Sequence, residues 1–225
     1  MNKLLASSML LLCAAGFCRA DVLTFQFWHD DHGVSNYSPG TSYVFHTSKP
    51  PSGYGITAYG YSFTDQNLLG TGLAEALYIK NGGGGEQGLG LNNSDADKEV
   101  HYNELVQLNV ASVRAALGNN VTVTIDSVQT GEGYRLFSSA TTGAAGTDIH
   151  DFLSTHDGEV RQTYNLTLTQ DYLGLSAIYD GSTNGDVLLT QITFSPTVVP
   201  EPSSLVVIGI GGLLVTWQLK KRRLR

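Results

Sequence analysis

Apolar and polar residues alternate with a period of two along most of this chain. Leu23, Phe25 and Phe27 share one face of 22–27, and Thr57, Tyr59, Tyr61 and Phe63 share one face of 56–63. Val106, Leu108 and Val110 alternate through 104–110, and Val121, Val123 and Ile125 through 121–128. Tyr164, Leu166 and Leu168 alternate against Asn165, Thr167 and Thr169, and 187–194 is a more apolar run. Weaker strand patterns cover 42–45, 75–79, 134–138 and 175–179. Period two means that one face is buried and the other is polar, so these runs predict strands. Turn signals separate them: Ser38-Pro39-Gly40, Pro50-Pro51-Ser52-Gly53, 81–85, Gly118-Asn119-Asn120, Asp180-Gly181 and Asn184-Gly185. Only 111–117 carries a helical spacing, with Val113, Ala116 and Leu117 on one face. The stretch 138–146 is rich in Gly, Ala and Thr and predicts a surface loop. Many short strands with near-regular turns predict a mainly β body, an antiparallel β-sandwich or jelly roll.

The two ends break this pattern. Residues 1–20 open with Lys3, continue as an apolar run and close on Cys18-Arg19-Ala20, the layout of a cleavable secretory signal peptide. At the other end stands Pro200-Glu201-Pro202. It is followed by the uncharged run 205–219 and by Lys220, Lys221, Arg222, Arg223 and Arg225. Fifteen helical residues rise about 22 Å, short for a hydrocarbon core of about 30 Å, so thinning or snorkelling Lys and Arg stems would be needed to span it. The basic cluster favours a cytoplasmic C-terminus, with the body outside. Three segments follow: a signal peptide (1–20), an exported β domain (21–198) and a tail (199–225).

The tail's Pro-Glu-Pro motif, apolar segment and basic terminus resemble the PEP-CTERM sorting signal of exported proteins in Gram-negative bacteria. The resemblance implies that an exosortase, a membrane cysteine protease/transpeptidase, processes the chain near Pro200, Glu201 and Pro202. It also implies a route from an inner-membrane-anchored precursor to the cell surface or extracellular matrix, and an association with extracellular polysaccharide or biofilm. The two prolines agree physically, since they fix φ and keep the segment extended and open to a protease. The body is similar to extracellular domains found with such tails. Gly88-Leu89-Gly90-Leu91, an Asx-rich run and Glu104-Leu105-Val106 follow their Gly-Leu-Gly-Val…Asp-x-Glu-Ile-Asp-x-x-Glu-x-Leu pattern, and 185–189 resembles their closing strand. His101 departs from that pattern, which prefers Asp there.

Charge sharpens the reading. The chain carries −7, but 21–199 holds 6 basic and 19 acidic residues, a formal charge of −13. An acidic body without a basic patch excludes nucleic acid as a partner. Both cysteines, Cys13 and Cys18, lie before position 20, so the body has neither a disulfide framework nor a thiolate metal site.

The best candidate for chemistry is the loop 92–99. Asn93, Asp95 and Asp97, with Glu104 eleven residues after Asn93, reproduce the 1-3-5-12 spacing of a calcium loop, and Glu99 is a further oxygen donor. Lys98 stands where that loop wants a glycine, and Asn93 lacks the charge of position one. A looser Ca²⁺ site and a solvated acidic turn are both open readings. His29-Asp30-Asp31-His32 has metal-ligating chemistry but no third ligand at a known spacing, so it reads as a polar turn. His150-Asp151 and His156-Asp157 could orient a general base, yet no G-x-S-x-G nucleophile accompanies them, so they read as loop residues. Residues 82–85 lack the Gly-Lys-Ser/Thr of a phosphate loop. Tyr54, Tyr59, Tyr61 and Phe63 could stack on sugars, but strand aromatics are usually core or cross-strand pairs.

The first reading is therefore a non-enzymatic, exported envelope or matrix protein sorted through its tail. The second is a calcium-dependent carbohydrate-binding module. A secreted hydrolase is the weakest of the three, because no acid/base pair stands out.

Overall fold

The computed structural model describes residues 22–196, apart from 31–32, 48–52, 84, 94–96, 156–159 and 179–184. All of these belong to one unit, Asp21–Pro196. The signal peptide 1–20, the motif Pro200-Glu201-Pro202, the apolar run 205–219 and the basic cluster lie outside the described residues. Among the described residues, no helix is long and apolar enough to cross a membrane.

Among the described residues the chain forms fourteen strands and one short helix, α1 (Ala111–Leu117). The strands are β1 (Leu23–Gln26), β2 (Tyr37–Gly40), β3 (Ser42–His46), β4 (Gly55–Ser62), β5 (Leu73–Glu75), β6 (Leu77–Asn81) and β7 (Gln87–Leu91). The second half supplies β8 (Glu104–Asn109), β9 (Asn120–Val128), β10 (Gly133–Ser139), β11 (Thr147–Leu153), β12 (Val160–Thr167), β13 (Tyr172–Ala177) and β14 (Leu188–Phe194). They form two antiparallel sheets. The first runs β12-β9-β14-β7-β6-β2, with β1 sharing an edge of β14 beside β7. The second runs β11-β10-β13-β8-β4-β3, with β5 on β4.

The two sheets share one core, as a sandwich requires. Phe25, Ile79, Val123 and Ile192 from the first sheet join Phe45, Ile56, Leu108 and Leu175 from the second. The ring after β1, Phe27, meets Phe45 edge-on with centroids 4.9 Å apart. A second, smaller cluster of Phe63, Leu68, Leu105, Phe137 and Ala145, with Tyr61 packed against it, sits apart from this core. On β4, Ile56 and Ala58 are buried while Tyr59 and Tyr61 alternate onto the opposite face.

The main alternating runs are strands, and 111–117 is the helix. The helix ends at Gly118, whose N–H donates to the Arg114 carbonyl at 2.9 Å and whose φ of 95° suits glycine. Two readings change and one strand is added. Ser38-Pro39-Gly40 is not a turn but part of β2, an outermost strand of its sheet, where a proline's missing N–H is tolerated. Residues 87–91 are a strand despite two glycines. Residues 147–153 form β11 instead of a loop, and the loop before it shrinks to 140–146.

Candidate functional site

The candidate calcium loop joins β7 to β8, and the backbone of its second half is built on a glycine. β7 buries Leu89 and Leu91 completely in the core. On its other side, a Cβ at Gly90 would lie 2.1 Å from the Lys98 carbonyl oxygen and 3.0 Å from Glu99 Cα. A Cβ at Gly88 would lie 2.7 Å from the Leu189 carbonyl oxygen. The Gly-Leu-Gly-Leu sequence thus pairs core leucines with glycines over which other backbone passes.

The sharp turn that the 1-3-5-12 spacing assigns to glycine does occur here. Lys98 adopts φ 61°, in the left-handed region, and its Nζ donates to the Asn93 carbonyl at 2.6 Å. The chain then extends, so alternation places Glu99 and His101 on one side and Val100 on the other, while Asp97, before the turn, reaches the His101 ring. Val100 forms an antiparallel bridge with Val187, each N–H donating to the other's carbonyl at 2.9 and 3.2 Å. That register sets His101 opposite Asp186.

The result is a junction of ionisable side chains. His101 is 6% exposed. Its Nε2 lies 3.3 Å from Asp97 Oδ1, and its Nδ1 lies 3.3 Å from Asp186 Oδ1. The His101 backbone N–H donates to Glu104 Oε2 at 3.0 Å. Lys80 Nζ pairs with Glu99 Oε1 at 2.5 Å and with Glu86 Oε2 at 3.1 Å. Glu99 is buried, with Lys80 and Ser127 as its side-chain partners. Glu132 belongs to the same electrostatic neighbourhood, and its Oε2 accepts the Gln129 N–H at 2.8 Å.

Burial governs the protonation of this junction. It pushes the Glu132 carboxyl up to about 7; the Gln129 N–H opposes this, and Asp186, Glu99 and Asp97 add repulsion. Burial raises Glu99 against the pull of Lys80, and raises Glu104 against the His101 N–H and Asn93. Burial draws His101 down, but Asp186, Glu104 and Asp97 together lift it above its ordinary value. Burial likewise opposes charge on Lys80, which Glu99 and Glu86 more than restore.

The five predicted oxygen donors are therefore divided. Asp97 and Glu99 enter the junction. Asn93 instead donates its Nδ2 to both oxygens of Glu104, at 3.0 and 3.2 Å. Asp95 lies outside the described residues. His101 was visible in the sequence only as a departure from a pattern, and Asp186 only as part of a closing-strand likeness. Lys80 and Glu132 carried no signal, since β6 and the β9–β10 turn reach the junction only through the fold.

The other candidates take structural positions. His150 and Asp151 are neighbours on β11, so they point to opposite faces. His150 stacks on Tyr164 with centroids 3.5 Å apart, and Asp151 pairs in register with Arg135. Burial lowers His150, with Asp151 opposing. His156 and Asp157 lie outside the described residues, as do Asp31 and His32. Asp30 accepts hydrogen bonds from the Val34 N–H at 2.8 Å and the Tyr37 hydroxyl at 3.0 Å. The 82–85 segment closes the β6–β7 turn, with the Gly82 N–H donating to the Glu86 carbonyl. Phe63 belongs to the smaller hydrophobic cluster, while Tyr59 and Tyr61 stack at 6.4 Å and 28°.

No family model matches the chain, and no curated protein does. Among solved structures, the crystal structure of the K1 cleaved adhesin domain of Lys-gingipain from Porphyromonas gingivalis W83 is similar at a TM-score of 0.27 and 9% identity. The match covers 79% of this chain and 96% of that one. A likeness that distant is no basis for an argument about fold or activity.

Proposed function

We propose that the chain is an exported, non-enzymatic protein of the bacterial cell envelope or extracellular matrix, sorted through its C-terminal tail. The observation that carries this reading is the order of three elements: Pro200-Glu201-Pro202, the apolar run 205–219, and the cluster Lys220 to Arg225. In this reading an exosortase cuts or transfers the chain near the prolines. The apolar run holds the precursor in the inner membrane until then, and the β body is delivered to the surface or matrix beside extracellular polysaccharide.

The wiring of the body supports an inert or binding role. Strands β7 to β14 alternate between sheets in the orders β7-β14-β9-β12 and β8-β13-β10-β11. We read this as a jelly roll, two interlocked Greek keys, a wiring that includes lectin domains. That is an analogy of fold, not of site. Intact-mass analysis of the exported protein, in cells with and without the sorting enzyme, tests the main reading. Loss of the tail only when the enzyme is present is expected; a full-length mass in both strains refutes it.

One observation favours the calcium-dependent carbohydrate-binding reading as a second possibility. The stacked, half-buried Tyr59 and Tyr61 lie on the outward side of β4, where a sugar ring could be packed. Binding to a glycan array with and without Ca²⁺, lost in Tyr59→Ala, is its expected result. Equal signals for the variant and the wild type would dismiss it.

A further inference from the structure

We propose that Asp97, His101 and Asp186 bind one divalent cation of the zinc class, fastening the β7–β8 loop to the start of β14. This site stands independently of the sorting reading. It also differs from the predicted calcium loop in its donors, because it uses an imidazole and recruits Asp186 from the far end of the chain.

Three separate observations converge on it. The first is geometry. One ligand atom from each of the three residues falls within 4.8 Å of the other two. Asp97 Oδ1 lies 3.3 Å from Nε2 and Asp186 Oδ1 lies 3.3 Å from Nδ1, on opposite nitrogens of the ring, so an ion held by either nitrogen has one carboxylate at that distance and draws in the other from within 4.8 Å. Metal–ligand bonds of about 2.0–2.1 Å in a tetrahedron set neighbouring ligands about 3.3 Å apart. The placement is also rigid, since the Val100–Val187 bridge fixes the register that opposes His101 to Asp186.

The second is charge. Asp97, Glu99, Glu132 and Asp186 repel one another across this junction. Among the described residues, the permanent cation bonded there is Lys80, and it is shared between Glu99 and Glu86. Buried carboxylates in excess of cations are costly unless a proton or a metal compensates. The third is Glu99, a residue only 3% exposed, whose carboxylate is buried with Lys80 and Ser127 as its side-chain partners. Its charge is felt by Asp97, so it adds to the negative potential in which a cation would sit.

The donor set selects the ion. Calcium takes six to eight oxygens in a hard shell, whereas zinc accepts imidazole nitrogen and carboxylate oxygen at low coordination number. One imidazole with two carboxylates, and water completing the shell, matches zinc. The binding would be structural, because it would tie two loops to a strand start around the buried His101.

The test uses the full chain in mild detergent, stripped with chelator and then titrated separately with ZnCl₂, CaCl₂ and MgCl₂. One equivalent of Zn²⁺ should bind and raise the melting temperature, and Co²⁺ should give the visible absorption of a low-coordinate site. His101→Asn and Asp186→Asn should weaken Zn²⁺ about 100-fold or more, whereas His150→Asn should bind as wild type. Should a variant fail to fold, the wild-type stoichiometry and the Zn²⁺-induced shift of the His101 ring signals decide alone. No stoichiometric Zn²⁺, full binding in both site variants, or preference for Ca²⁺ over Zn²⁺ would each overturn the proposal.

Discussion

Two buried acidic sites in this protein are built alike and neutralised differently. Each sits beside a non-glycine residue with positive φ. Ser127, at φ 63°, sits in a β9 bulge where Asp126 and Ser127 together face Arg161 of β12. Lys98, at φ 61°, stands between Asp97 and Glu99 of the junction that also holds His101. Asp126 is fully buried, and the Arg161 guanidinium grips both of its oxygens at 2.6 Å. One carboxylate meets one planar fork, and the site is complete. At the His101 junction several carboxylates face one shared lysine and a titratable imidazole. The first site is a rivet; among the described residues the second sets several carboxylates against one lysine and an imidazole, so it answers to protons.

The comparison breaks first at the rivet. Arg161→Ala leaves a buried carboxylate without its counter-charge, which costs about 3–5 kcal/mol. Denaturant unfolding should show that loss. Adding Asp126→Asn should recover a large part of it, because the stranded charge is then gone. If Arg161→Ala alone melts like wild type, the bidentate pair contributes nothing to stability. The next effect in size concerns the backbone that carries the junction. Gly90→Ala drives a methyl against the Lys98 carbonyl, 2.1 Å away, a backbone atom that has no rotamer to escape into. Overpacking of this kind costs about 1–3 kcal/mol. Amide exchange should quicken at Val100 and Val187 while β10 and β13 keep their protection. Unchanged exchange at the bridge would mean that the loop does not depend on the glycine.

The third test asks whether the junction is as charge-laden as its pKa directions imply. Glu132 sits near 7 in the fold, against an ordinary value near 4.5. The folded state therefore binds the extra proton, and stability contributed below the unfolded value is lost as pH rises through the folded one. His101, also lifted, acts in the same direction. Glu132→Gln keeps an oxygen for the Gln129 N–H and removes the charge. In chelator, the variant should match wild type near pH 5 and exceed it by on the order of 2 kcal/mol near pH 8. Parallel stability curves for the two proteins would contradict the shift.

Much of the fold could be read along the chain, because period two is a local signal that β1, β4, β8, β9 and β12 carry strongly, and β14 is marked by its apolar run. β2, β7 and β11 escaped for particular reasons. Pro39 and Gly40 look like a turn until β2 is seen at the outer edge of its sheet. Gly88 and Gly90 look like weak strand formers until the backbones crossing them are seen. Of β11, only His150 and Phe152 are partly covered, so the strand has no apolar stripe to announce it. The site was half legible for the same reason. Asp97 and Glu99 lie within one loop, but Asp186 joins them through a bridge spanning 87 positions, from Val100 to Val187. No spacing rule on a sequence reaches across that.

The smallest effect separates two causes of the turn at Lys98. Its left-handed φ strains a residue bearing a Cβ by about 1–2 kcal/mol, and its Nζ bond to the Asn93 carbonyl returns about 1 kcal/mol. Lys98→Ala keeps the strain and loses the bond, so it should destabilise by about 1 kcal/mol. Lys98→Gly loses the bond but relieves the strain, while adding about 0.5–1 kcal/mol of unfolded-chain entropy. It should therefore fall within about 0.5 kcal/mol of wild type. Chemical denaturation of the pair gives the difference. Equal stabilities for the alanine and glycine variants would show that the turn is held by the lysine's hydrogen bond alone. A glycine variant more stable than the alanine one would show that the backbone imposes the turn. Position 98 would then do, with a strained lysine, what the spacing of a calcium loop assigns to glycine.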